Sequence, residues 1–438
     1  MTDKSNITPY IPKLDLFLDV NMPHLKELTN QLGKALGMRQ NTQFKGLRLL
    51  LCNLFIQGQR QVMVSRKKQP IGGKRYNPLG IGYSSIISSL DALESNGYII
   101  QELGNYDEKK RTTMMPTDKL LQWFEDTGWS DEGIDKRVGT YITLRKAKKD
   151  NGKHSFIDYE DTEYSKWLSE EIKQYDQLLS NSRIVLLNDD GTEDREFKKF
   201  TVQRRFIKHK TKFNNMEFTF GGRMPGPWVN LSSELRKNIT INGQPTIELD
   251  RKASHLNAMY QVITEAPYPY DDDPYHIVVD GRPVPRHIAK NFSSFMQGST
   301  SPRGTAQSVI NHYKYEALKV KNPKDKDIKK YEEYIEFKKK VKPTDIAEAI
   351  LKKHPKIAKY YNNGKIYGDF ISCWESDIVF EVVMELTQRG IPCLTIYDSF
   401  IVPLQYKDLV DNMKDITPYI NRRGLPKEVF NIDNYKDN

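Results

Sequence analysis

The most constraining feature of the sequence is residues 392–403, PCLTIYDSFIVP, in which two short apolar runs flank a polar triplet. This pattern predicts a tight β-hairpin, with strands at Leu394–Ile396 and Phe400–Val402 and with Asp398 at the turn. Polar residues at hairpin turns usually serve only the turn. Here bulky Tyr397 and Phe400 flank the turn and indicate a packed location, which favours a functional role for Asp398.

A second acidic residue ends another predicted strand. In TIELD (246–250), Ile247 and Leu249 point to one face, so Glu248 and Asp250 share the opposite face. A helix is predicted to begin near Ala253. A carboxylate at such a junction can hold a hard cation, although an aspartate there is more often only a helix cap.

Two basic residues lie between these acidic segments, in PRHIAKNFSSFMQG (285–298). Pro285 suits the first position of a helix, and Arg286 and Lys290 are four residues apart on one face of it. Such a pair can bind a triphosphate, but surface pairs at this spacing are common. The two acidic segments and the basic pair are therefore more specific together than any one of them is alone. Two converging carboxylates imply a cation, because without one they would repel each other.

The combination predicts nucleotidyl transfer with two Mg²⁺ ions, for which Mn²⁺ could substitute. Asp250 and Asp398 would hold the ions, one of which activates a 3′ hydroxyl while the other stabilises the leaving pyrophosphate. Arg286 and Lys290 would neutralise the triphosphate. A nuclease with paired acids is the less favoured reading, because it leaves these two cations unexplained.

The amino-acid sequence of these segments resembles motifs of the family-A DNA polymerases and the related single-subunit phage-type RNA polymerases. The resemblance is carried by GGRMPGPWVNLSSELR (221–236), LDRKASHLNAMY (249–260), DPYHI (273–277) and TIYDSF (395–400). It covers only the second half of the chain and also extends to related proteins encoded by phages and mobile elements. It implies an α/β (α+β) right-hand architecture with palm and fingers, acting on a DNA template, a primer or nascent strand, and nucleoside triphosphates.

The resemblance also implies residue roles. Asp250 and Asp398 are the metal ligands and, with Arg286 and Lys290, the catalytic set. The implied nucleotide-binding residues are Arg223, Arg286, Lys290, His255 and Gln297. Three positions depart from the family pattern: Tyr397 replaces a histidine, Gln297 replaces a sugar-selecting tyrosine, and His255 replaces the glutamate or glycine of the two polymerase classes. The choice between ribo- and deoxynucleotides is therefore left open.

Residues 41–135 have the order of a winged helix-turn-helix. The periodicity predicts a helix at Phe44–Gln57, a strand at Gln61–Ser65, a recognition helix at Tyr83–Asn96, and strands at Tyr98–Gln101 and Arg111–Met115 around a wing at 102–110. Many such domains bind proteins instead of DNA. The predicted DNA-binding residues here and in the later basic segment are Arg60, Arg66, Lys67, Lys68, Arg75, Arg204, Arg205 and Lys208.

The remaining organisation follows from charge and pattern. The net charge of +10 favours a polyanionic partner, and the three cysteines form no pair that suggests zinc or a disulfide. No apolar run approaches a membrane span, so we expect a cytoplasmic, nucleoid-associated protein of the host cell. The predicted regions are an N-terminal extension (1–40), the winged helix (41–135), a basic linker with thumb-like helices (136–200), and a palm (201–438) with fingers inserted at about 270–365.

Two functions remain from this reading. The first is a template-directed polymerase of a phage or mobile element, working in replication or priming. The second is a sequence-specific DNA-binding initiator or repressor whose polymerase-like half is inactive, which the departures at Tyr397 and Gln297 keep open. Incorporation of labelled nucleotides on a primed template distinguishes them.

Overall fold

The computed structural model describes residues 11–67, 73–105, 110–147, 156–209, 217–269, 271–319 and 323–430. The chain is a mixed α/β protein with one large antiparallel sheet and several small ones, as the α/β prediction requires. Within these ranges, none of the helices has the length and apolar character needed to cross a membrane.

The N-terminal region confirms the predicted order of helix, strand, helix and two strands. Its elements are β1 (Leu18–Val20), α1 (Pro23–Ala35), α2 (Asn41–Gln57), β2 (Val62–Met63), α3 (Tyr83–Ser95), β3 (Ile99–Glu102), β4 (Thr113–Pro116), α4 (Asp118–Asp126) and β5 (Ile134–Lys136). The strands β2, β4 and β3 form an antiparallel sheet in that order. β1 pairs with β5, and both share one apolar core with α1 and α2. Residues 11–40 are therefore part of this unit and not a separate extension.

Helices α2 and α3 pack closely at Gly46. A Cβ atom at this position would lie 2.7 Å from the backbone oxygen of Ser85, closer than real contacts allow. We expect Gly46→Ala to lower the free energy of unfolding of this unit by about 1–3 kcal/mol, because the helices must move apart. Urea denaturation measures the change. Gly73→Ala is the control, since its nearest atom would lie at an ordinary 3.7 Å; equal stabilities of the two variants would contradict the packing argument.

The middle of the chain supplies four strands of the large sheet and the three strands of a smaller one. Its elements are β6 (Ile142–Lys146), α5 (Glu163–Ser180), β7 (Ile184–Leu187), β8 (Glu193–Glu196), β9 (Arg204–Lys208), β10 (Gly221–Arg223), α6 (Ser233–Arg236), β11 (Ile239–Ile241) and β12 (Gln244–Asp250). The six-stranded sheet has the order β15-β16-β12-β11-β7-β8, in which β15 (Leu394–Ile396) and β16 (Ser399–Pro403) come from the end of the chain. A smaller sheet has the order β10-β9-β6.

The helix predicted as thumb-like is part of the central core. One face of α5, carrying Leu168, Ile172, Tyr175 and Leu179, is buried in the cluster that includes β7, β11, β15 and β16. The hydroxyl of Tyr175 donates to the backbone oxygen of Cys393 at 2.6 Å. The helix of the predicted thumb-like region thus shares its core with the large sheet. Apolar residues at helical spacing are interspersed among the polar residues of this segment, and they form its buried face.

The last region is mostly helical and has its own core. Its elements are α7 (Ser254–Thr264), β13 (Val278–Val279), β14 (Arg282–Pro283), α8 (Arg286–Met296), α9 (Pro302–Lys314), α10 (Asp325–Phe337), α11 (Pro343–Lys353), α12 (Lys365–Gln388) and α13 (Lys407–Lys414). Residues of α7, α8, α9, α11 and the first half of α12 form one apolar cluster. The second half of α12 packs into the core of the large sheet. α12 therefore joins the helical region to the sheet.

Candidate active site

The two aspartates predicted from sequence lie beside each other at one end of the large sheet. β12 and β16 pair antiparallel, with Asp250 directly opposite Ser399. The hairpin of β15 and β16 turns at Tyr397 and Asp398, as predicted. The hydroxyl of Ser399 donates to Oδ1 of Asp250, and the backbone N–H of Arg251 donates to the backbone oxygen of Asp398 at 3.4 Å. Sheet register thus brings together two residues that are far apart in the chain.

The environment of Asp398 disfavours its negative charge. Burial raises the pKa of the Asp398 carboxyl, and the negative charges of Glu375 and Asp250 raise it further. The interaction of Asp398 with His255 acts in the opposite direction without reversing the shift. A cation bound between the carboxylates would remove this repulsion.

A third carboxylate, Glu375 of α12, lies buried behind the pair. Its Oε2 is 3.0 Å from Nε2 of His255 and 3.4 Å from Nη2 of Arg223. Burial alone would raise the pKa of Glu375, but His255, Arg223 and a hydrogen bond from Ser254 lower it to about 2. Glu375 is thus ionised at neutral pH and orients both His255 and Arg223 toward the site.

Glu375 gives the protein a specific dependence of stability on pH. Its folded pKa of about 2 lies below the ordinary value of 4.5. The stabilisation is therefore present above pH 4.5 and is lost as the pH falls toward 2. We expect Glu375→Gln to lower the free energy of unfolding at pH 7 by on the order of 3 kcal/mol and to flatten this acid dependence. Thermal unfolding measured from pH 7 down to pH 2 gives both quantities. An unchanged acid slope in the variant would contradict the assignment.

The donor set fits magnesium bound together with a substrate. In the part of the chain that the structure describes, no three His, Cys, Asp or Glu side chains meet as a complete metal site. Mg²⁺ commonly binds one or two carboxylates and completes its shell with waters and substrate phosphates. Asp250 and Asp398 supply two adjacent carboxylates whose repulsion a cation relieves. They are the residues that would hold the metal.

Arg286 and Lys290, the predicted phosphate-binding cations of α8, have different surroundings. Arg286 is 61% exposed; its Nε lies 2.6 Å from Asp273, and its guanidinium lies 5.3 Å from the ring centroid of Tyr275. The charges of Arg286, Asp398 and Glu375 all act on the Tyr275 hydroxyl, so Tyr275 lies near Asp398 and Glu375 as well as near Arg286. Lys290 instead lines a cavity of about 220 Å³ with residues of α9 and α10. The structure shows no contact between Lys290 and the aspartates within the described residues.

Two further nucleotide-binding predictions concern Gln297 and Arg223. Gln297 is buried immediately after the end of α8. Arg223, in contrast, reaches the turn that carries Asp398, because its guanidinium lies 4.8 Å from the ring centroid of Tyr397. The Tyr397 side chain, at the position where the resembled polymerases carry histidine, is 53% exposed with a φ of +55°. The arginine and the exposed ring therefore border the site.

The predicted nucleic acid groove at residues 204–208 needs one correction. Arg204 is only 1% exposed and points into the core, where its Nη2 contacts Asp377 and its Nε donates to the backbone oxygen of Gly222 at 2.8 Å. The prediction that Arg204 binds DNA is wrong, because strand alternation turns it inward. Arg205 is exposed on the opposite face, and Lys208 is exposed and paired with Glu217 at 2.5 Å.

The N-terminal basic cluster is largely used in contacts within the chain. Arg60 pairs with Asp194, and Arg66 pairs with Asp91. Arg75 pairs with Asp158 and Asp161 and stacks on a tyrosine ring. Arg60 and Arg75 thus connect the N-terminal unit to the rest of the chain. Lys67 is exposed, and Lys68 lies outside the described residues.

Sequence reasoning missed two residues of the site. Glu375 received no role from the sequence, because nothing in ISCWESDIV distinguishes it from Asp377, the other acidic residue of that segment. Arg251 directly follows Asp250 and is buried, with its Nε donating to the backbone oxygen of Lys414 at 2.6 Å and an Nη to Ser254 at 3.1 Å. The charged neighbour of a strand-end aspartate was the available signal for Arg251.

Comparisons of the chain with protein-family models, with curated proteins and with solved structures found no match.

Proposed function

We propose that this chain is a template-directed nucleic acid polymerase that transfers nucleotides with the help of two divalent cations. The observation that carries the proposal is the placement of Asp250 and Asp398 at adjacent ends of β12 and the β15–β16 hairpin. Two cationic groups suited to a triphosphate lie nearby: Arg223, which contacts Glu375, and Arg286, which contacts Tyr275 near Asp398. In this proposal the large sheet is the palm and the helical region after α7 is the fingers.

The residues have distinct tasks in the proposed reaction. The 3′ hydroxyl loses its proton to solvent and its oxygen bonds to the α-phosphorus of a nucleoside triphosphate, while the bond to the β-phosphate breaks and pyrophosphate leaves. Magnesium, when bound, would activate the hydroxyl and stabilise the leaving group. Asp250 and Asp398 would hold the metal ions. Arg286, the first residue of α8, would neutralise the negative charge of the triphosphate. Glu375 fixes Arg223 and His255 at the edge of the site, so that they are preorganised before the substrate binds.

The test is an extension assay on a primed DNA template with labelled nucleotides and Mg²⁺. It is run with ribo- and deoxynucleotides separately, with and without primer, which also addresses the sugar choice. The proposal predicts template-dependent extension that stops when EDTA removes the metal. DNA binding without incorporation under any of these conditions would overturn the polymerase proposal and favour the DNA-binding initiator or repressor.

A further inference from the structure

One face of the small sheet carries arginines on all three of its strands. Arg205 of β9 lies opposite Arg223 of β10. On the other side, β6 runs parallel to β9 with Thr143 opposite Arg205, so Arg145 lies two residues along the same face. Arg204 and Phe206, which alternate with Arg205, point into the core. Arg205 lies directly across from Arg223, and Arg145 is offset by two residues along β6, so the three arginines follow one another diagonally across this face and end at Arg223 beside Tyr397.

The row continues onto the N-terminal unit. Residues 12–14 run along β2, with the Met63 N–H donating to the Pro12 oxygen at 2.7 Å and the Leu14 N–H donating to the Met63 oxygen at 2.9 Å. This places Lys13 beside Met63, whose other neighbour is Thr113. Partial burial of the Lys13 ammonium group, followed by the positive charges of Arg111, Arg205 and Arg145, lowers the pKa of Lys13. Lys13, Arg111, Arg145 and Arg205 therefore lie near one another where the two units meet.

Each end of the arginine row has an exposed aromatic ring. The Arg145 guanidinium lies 4.7 Å from the ring centroid of Phe156, which is 40% exposed and stacks on Tyr76 at 4.6 Å. At the other end, Arg223 lies against the exposed ring of Tyr397. The Nε of Arg145 is buried without a hydrogen-bond partner among the residues described. Cations that follow a backbone, together with rings that stack on bases, are the combination that binds unpaired nucleotides.

We propose that Lys13, Arg111, Arg145, Arg205 and Arg223 form a track for single-stranded nucleic acid that leads from the N-terminal unit to the acidic pair. The strand's phosphates contact the cations, and its bases stack at Phe156 and Tyr397. The assignment of this strand as the template rests on the proposed polymerase function. Binding to the track needs neither metal nor nucleoside triphosphate, so it is measured separately from catalysis.

The experiment measures binding of a labelled oligothymidylate of about 15 nucleotides to the full chain by fluorescence anisotropy at several salt concentrations. For Arg145→Gln/Arg205→Gln, we expect about tenfold weaker binding at low salt. We also expect the slope of log K against log salt to shrink by about 1.4, or about 0.7 for each lost phosphate contact. The matched control is Arg183→Gln/Arg389→Gln, which removes the same charge from two exposed ion pairs elsewhere. This control should bind like the unmodified chain.

Two additional variants, both in the N-terminal unit, keep the test independent of the stability of the small sheet of β6, β9 and β10. Lys13→Gln and Arg111→Gln, both at exposed positions of the N-terminal unit, should each reduce the slope by about 0.7. Phe156→Ala should weaken single-strand binding about tenfold and leave duplex binding unchanged.

Equal salt slopes for the track variants and the control double variant would overturn the track. Equal losses for duplex and single strand in Phe156→Ala would overturn its specificity for unpaired nucleotides. If extension fails while these binding losses appear, only the polymerase proposal is lost.

Discussion

Asp398→Asn and Asp250→Asn each reduce magnesium-dependent nucleotide incorporation by about a thousandfold or more in this account. Each substitution removes one of the two carboxylates that would hold the metal, and the metal supplies several kcal/mol of transition-state stabilisation. The folds should persist. The amide at position 250 can still accept from Ser399, and burial raises the pKa of Asp398, so an uncharged group there does not destabilise the metal-free protein. Single-turnover extension on a primed template measures the loss.

The matched control for these variants is Asp408→Asn. It makes the same chemical change on α13, where the Asp408 side chain is almost fully exposed and its neighbour Lys407 lies at 3.4 Å. Incorporation by this variant should equal that of the unmodified chain. Retention of incorporation in Asp250→Asn or Asp398→Asn, with circular dichroism showing an intact fold, would remove the catalytic assignment.

The largest expected effect on stability comes from a buried carboxylate that plays no part in the proposed chemistry. Asp377 of α12 lies between the guanidinium groups of Arg204 and Arg423, and all three side chains are less than one-tenth exposed. Arg423 makes two contacts with it, at 2.6 and 2.7 Å. Asp377→Asn leaves two buried positive charges without a counter-charge. We expect it to lower the free energy of unfolding by about 3–5 kcal/mol.

Urea denaturation followed by far-ultraviolet circular dichroism measures this loss. The control is Glu385→Gln, about two helical turns further along α12, where Glu385 and its partner Arg389 are both close to half exposed. Because solvent screens that pair, the control should cost less than about 1 kcal/mol. A similar small loss for both variants would show that the buried triad does not hold α12 against the sheet.

The sequence predicted the elements that carry the aspartates because their patterns are local. Apolar alternation around Asp398 and Asp250 placed both at strand ends, and the observed elements β12, β15, β16 and α7 agree closely with the expected bounds. The N-terminal helices and strands followed for the same reason.

Features that depend on tertiary packing were not predictable in this way. The alternation of β9 shows that Arg204 and Arg205 face opposite sides, but not which side is buried. The polar sequence of α5 concealed a buried face, and Glu375 became identifiable only when α12 was placed behind the hairpin. Arg286 and Lys290 both lie on α8, as their spacing predicted. Residues of α9 and α10, however, form a cavity with Lys290 that Arg286 does not line.

The most direct test of the central claim is a count of bound Mn²⁺, used in place of Mg²⁺, by electron paramagnetic resonance. The sample contains the full chain, a primed template and a non-hydrolysable nucleoside triphosphate. Shared coordination by Asp250 and Asp398 predicts two ions held per chain. The Asp250→Asn/Asp398→Asn double variant should then hold neither above the background of nucleotide alone. The same ion count in the double variant as in the unmodified chain would contradict the account.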